Sequence, residues 1–140
     1  MSIFSRIVKW NSERLLIKSP EEANVERESA FIVEELLEMN SDLMSDEANK
    51  KALKIVEKEI CIEWYKPSND QVIDAAWDII VFATGLISKF WYDPDLVMEE
   101  VLKEIESRKW KVIWWKFTKD KSDEAKKLWY KADFSKAKIR

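Results

Sequence analysis

The chain has no histidine, one glycine, one cysteine and three prolines in 140 residues. Without histidine, the usual imidazole base and zinc ligand are missing. Any catalysis must then run on carboxylates, Lys or Arg, Ser or Thr, Tyr, or metal-bound water. The lone Cys61 excludes an intrachain disulfide framework and fits a reducing compartment. It reads as a small core residue rather than a nucleophile, because no histidine is present to activate it. An excess of one charge is also missing. Twenty-four basic residues face 27 acidic ones, a net charge of -3, which gives no basic field for a nucleic-acid polymer. The opening MSIFSRIVKW is too short and too charged for a signal peptide, so the expected location is cytoplasmic.

Glycine is the most informative shortage. At the usual ~7% frequency, roughly ten would be expected; only Gly85 is present, against eight tryptophans. Trp91 follows a long apolar stretch and precedes Tyr92, Asp93 and Pro94, where a helix C′ glycine would be natural. Trp110, Trp114 and Trp115 lie in a short basic segment that reads as a turn. Two readings stay open: a UGA codon that means glycine in the source, written as tryptophan, or true tryptophans at an oligomer interface.

What is present is 46% hydrophobic residues, enough for a sizeable core in one domain spanning residues 1–140. The organising stretch is Gln71 to Phe90, whose only formal charges are Asp74, Asp78 and Lys89. Its composition predicts a helix buried on nearly all sides. It is a poor membrane span, since two aspartates interrupt its first half. Asp74 and Asp78 are four apart and so share one helical face. Ionised carboxylates in a core cost several kcal/mol each unless compensated. They are therefore protonated, met by basic side chains, or holding a metal ion.

Around this stretch the spacing predicts a short helix over residues 2–10, a loop over 11–23 with a helix-start signal at Ser19-Pro20, and a strong helix from Asn24 to Met39. In that helix Val25, Ser29, Ile32, Leu36 and Met39 trace an apolar stripe. A third helix is expected over residues 46–64, with Ala52, Leu53, Val56, Ile60 and Cys61 inward. Another is expected over 96–108, with Leu96, Val97, Val101, Leu102 and Ile105 inward. Residues 111–120 alternate enough for an extended segment or hairpin, and 121–132 suit a short final helix.

Glu34, Glu35 and Glu38 form an EExxE cluster on the second helix. Most Glu-rich helices simply present a solvated face. Beside Asp74 and Asp78, however, they make a set of oxygen ligands suited to Mg²⁺ or Mn²⁺. Trp10, Phe31 and Trp77 could stack on a base, although aromatics at helical spacing are more often core. Arg108, Lys109 and Lys111 suit either a helix C-terminus or contact with phosphates.

FIVEELLEM, IDAAWDIIVFATGL, LVMEEVLKEIESRKWK and the ending WYKADF together resemble the all-α nucleoside triphosphate pyrophosphatase superfamily, in its MazG-like, phage-type branch. That superfamily also includes the dimeric dUTPases and phosphoribosyl-ATP pyrophosphohydrolase. Two departures stand out. Ala75 occupies the position three before Asp78 where many members carry glutamate, so Asp74 must stand in, and Glu106 replaces an expected asparagine. The resemblance implies a bundle of four to five helices completed by oligomerisation, as a homodimer or homotetramer, with residues 110–140 as an extension. It implies Glu35, Glu38 and Asp78 as Mg²⁺ ligands, with Glu34 and Asp74 as ligand or water-orienting base. Ser107, Arg108, Lys109 and Lys111 become phosphate contacts. The implied reaction is hydrolysis of a nucleoside triphosphate to monophosphate and pyrophosphate, with water attacking the α-phosphorus. A non-catalytic oligomerisation or nucleotide-binding module is the alternative.

Overall fold

The computed structural model describes residues 1–14, 16, 19–113 and 116–140, and only the backbone of residues 111–113 and 116–118. Within them the chain is predominantly helical. The α-helices are α1 (Ile3–Glu13), α2 (Val25–Asn40), α3 (Ser45–Ile55), α4 (Asn69–Lys89), α5 (Pro94–Ser107) and α6 (Asp123–Lys127). A π-turn, Val56–Ile60, prolongs α3, and 3-10 turns lie at Pro20–Glu22 and Phe134–Ala137. Strands β1 (Trp110–Ile113) and β2 (Lys116–Lys119) pair antiparallel, with Trp110 opposite Lys119 and Ile113 opposite Lys116, which is the hairpin that the alternation of residues 111–120 allowed.

Short polar side chains set most helix starts. Ser2, Asn24, Asp93 and Ser122 each accept a backbone N–H from the first turn that follows, and Pro94 fills the first position of α5. Such caps are each worth about 0.5–2 kcal/mol. The Ser19-Pro20 signal starts only a 3-10 turn, without a side-chain cap bond, and Asn24 restarts the chain as α2.

The chain forms two compact units, Ser19–Ala76 and Met1–Lys18 with Trp77–Arg140. In the Ser19–Ala76 unit, α2 packs on α3 through small residues: Ala30, Ala48, Ala52 and Val56 are all buried. Positions 48, 52 and 56 recur every four residues, the period of one helical face. Close approach of alanines rotates α2 so that Ala30, Val33 and Leu37 turn inward. The expected stripe is thereby displaced: Val25, Ile32, Leu36 and Met39 are exposed. Leu53 and Ile60, expected inside, are exposed as well, and Cys61 is half-buried. Partial burial pushes the Cys61 thiol pKa up, with a smaller push from Glu26, which agrees with an unreactive sulfur.

In the other unit α1 packs on α5. Arg6 donates to Glu99 at 2.6 Å and lies 3.4 Å from Glu106, and chiefly the Glu99 bond raises its pKa further. Leu102 is fully buried, Val97, Val101 and Ile105 are half-buried, and Leu96 is exposed. The C-terminal segment returns to the start of α5. Ala137 O accepts the Asp93 N–H at 2.8 Å, and Trp91 O accepts the Ile139 N–H at 2.8 Å.

The largest departure from expectation is α4. None of its residues is buried, and Ile73, Trp77, Val81 and Phe82 are more than half exposed. The sequence predicted burial on nearly all sides, and that burial is absent from the single chain. Phe4 of α1 does meet Trp77, at a ring separation of 5.7 Å. A helix of this composition needs partners around its whole circumference. By length and composition alone α4 could cross a membrane, with a mean hydropathy of 1.4. Its end is a Schellman turn: Trp91 N–H bonds Ser88 O at 3.0 Å, Tyr92 N–H bonds Ile87 O at 3.4 Å, and Trp91 has φ 64°.

Candidate functional site

The acidic residues stand on the helices the sequence assigned them to. Glu34, Glu35 and Glu38 lie on α2, and Asp74 and Asp78 lie one turn apart on α4. On α2 the i, i+4 pair Glu34 and Glu38 is half-buried on the α3 side, because it follows Ala30 around the helix; Glu35 is exposed. The Glu34 carboxylate accepts from the Asn49 amide at 2.8 Å, which fixes its orientation. Asp74 and Asp78 are both exposed. Among the described residues, no three carboxylate or cysteine side chains are gathered closely enough to share a metal ion. The oxygens are of the right kind for Mg²⁺.

The expected phosphate contacts have structural duties. Ser107 Oγ donates to Glu104 O at 2.7 Å and accepts the Tyr130 N–H at 2.8 Å. Arg108 donates to the Glu104 carboxylate at 2.6 Å and lies 5.4 Å from the centre of the Trp129 ring. Both residues hold the C-terminal segment on α5. Lys109 is exposed, and its carbonyl accepts the Asp120 N–H at 2.7 Å beside the hairpin. Lys111 is in β1, where only the backbone is described.

Of the three aromatic candidates, Trp10 is the most engaged. The Arg14 guanidinium covers one face at 4.2 Å, and Trp110 meets it edge-on at 5.5 Å. It borders a cavity of about 290 Å³ that Arg6, Lys9 and Glu106 also line. Two acids in that lining, Glu13 and Glu106, face three cations, Arg6, Lys9 and Arg14. Phe31 and Trp77 are exposed.

One polar centre was not foreseen. Glu100 is 3% exposed, on the inner side of α5. It accepts from Lys103 Nζ at 2.8 Å, from the Tyr130 hydroxyl, and from the Asp133 N–H at 3.1 Å. The Lys103 bond, followed by the Tyr130 and Asp133 bonds, holds its pKa down at about 2. The available signal was a charge between Val97 and Val101 on an apolar face, with a tyrosine in the tail to meet it.

No protein-family model, curated protein or solved structure matches this chain.

Proposed function

We propose that the chain is a nucleoside triphosphate pyrophosphohydrolase of the MazG-like class, converting a (d)NTP to a (d)NMP and pyrophosphate with Mg²⁺, or Mn²⁺ in its place. The observation that carries the reading is two acidic helices in a chain without histidine: Glu34, Glu35 and Glu38 on α2, Asp74 and Asp78 on α4. When bound, such an ion neutralises charge on the phosphate chain. Glu35, Glu38, Asp74 and Asp78 are the proposed ligands. Glu34, steadied by Asn49, is the candidate for orienting water.

The working form is a homodimer or homotetramer, located in the cytoplasm. α4 and the outward stripe of α2 both present large apolar side chains to solvent. Further copies of the same helices would cover them and bring additional carboxylates toward the ion. Lipid is a poorer cover, because Asp78 lies near the middle of α4, where a carboxylate costs about 2.5–3.5 kcal/mol in a bilayer.

Two measurements test this. Pyrophosphate release from a panel of NTPs and dNTPs should require Mg²⁺ or Mn²⁺, and no release from any of them removes the enzymatic reading. Sedimentation should give a dimer or tetramer. Phe82→Glu, at a side chain 77% exposed in the single chain, should shift it toward monomer while retaining helical circular dichroism. A monomeric parent chain would remove the oligomer.

A further inference from the structure

We infer that position 91 is glycine in the protein as its source cell makes it, encoded by a UGA codon that the cell reads as glycine. Among the described residues other than glycine, Trp91 alone has a positive φ, 64°. A bulky L-residue there brings its Cβ against the following carbonyl, which is why helix C′ positions favour glycine. Both hydrogen bonds of the Schellman turn are present, so the left-handed conformation is built into the end of α4. The side chain offers little in return. Trp91 is 51% exposed, and among the described residues its ring meets the Arg140 guanidinium at 4.3 Å.

Gly85 supplies the contrast. It lies inside α4 with an ordinary negative φ, and a Cβ there would meet nothing within 4 Å. The chain's one glycine therefore sits where alanine would serve, and a tryptophan sits where the backbone asks for glycine.

Trp110 is different. It has no positive φ and its ring packs on Trp10, so it stays outside the inference.

The coding DNA and the tryptic peptide 90–103 of the protein isolated from its source test the assignment together. A TGA codon and a glycine mass at position 91 are expected. A TGG codon, or tryptophan in that peptide, overturns it. A recombinant comparison reads the physical cause. Trp91→Gly should melt several degrees higher than the tryptophan chain, and Trp91→Ala should not, because alanine keeps the Cβ. A glycine variant that melts lower would show that the indole stabilises this turn, and would also overturn the inference.

Discussion

Replacing Glu38 with glutamine is expected to lower Mg²⁺-dependent pyrophosphate release at least ~100-fold, while the thermal midpoint stays within about 2 °C of the parent. The exchange keeps the size of the side chain and removes its charge. Glu38 is half-buried beside α3 and, among the described residues, makes no ion pair or side-chain hydrogen bond, so folding depends little on it. The proposed divalent ion would depend on it, since a neutral amide is a far weaker ligand than a carboxylate. Mn²⁺ binding followed by calorimetry should weaken in parallel with turnover. Unchanged turnover together with unchanged Mn²⁺ affinity would take Glu38 out of the site. Glu34→Gln is the useful comparison, because a glutamine oxygen still accepts from the Asn49 amide. It should preserve folding equally well, and its effect on turnover reports on the carboxylate charge alone.

Helix positions were largely legible, because caps and punctuation are local. Asn24, Asp93-Pro94 and the break after Phe90 could be read from a few residues, and the structure begins helices at the first two and ends α4 one residue earlier, at Lys89. Trp91 was legible for the same reason: a C′ position depends on the turn before it and on little else. Helix faces were less legible. Reading Val25, Ile32, Leu36 and Met39 as the inner stripe ranked side chains by hydrophobicity, whereas α2 meets α3 through Ala30, Ala48 and Ala52. Small residues permit a close helix approach, and that geometry chose the buried face. The larger apolar side chains were left for another surface.

α4 makes the same point on a larger scale. Hydrophobicity stated that the helix must be covered, but not by which chain. The exposure of Ile73, Val81 and Phe82 is a statement about one copy, and the expectation of burial would be met in the oligomer proposed above. The acidic site shares this limit. The residue types and spacings of Glu34, Glu35, Glu38, Asp74 and Asp78 are what the proposal of a hard cation rests on, since these five side chains offer only oxygen donors. Which oxygens converge depends on packing that a linear pattern does not contain.

Glu100→Gln is expected to lower the thermal midpoint at neutral pH by roughly 5–15 °C, with the deficit shrinking as the solution is acidified. The carboxylate is nearly enclosed and gathers three donors: the Lys103 ammonium, the Tyr130 hydroxyl and the Asp133 N–H. Glutamine retains one acceptor oxygen and substitutes an NH₂ for the other, so one donor group is left facing an N–H. The ionic bond to Lys103 is lost as well, and the C-terminal segment loses its anchor on α5. The sign of the pH dependence follows from the depressed pKa. An ordinary unfolded glutamate titrates near ~4.3, and folded Glu100 near about 2. Its contribution is therefore complete above the unfolded value and is lost as pH falls through the folded one, between about pH 4 and pH 2. The parent chain should lose stability across that window more steeply than the glutamine variant, so their melting curves should converge at its acid end. Parallel curves throughout the window would mean that Glu100 is not held as a carboxylate by these three partners.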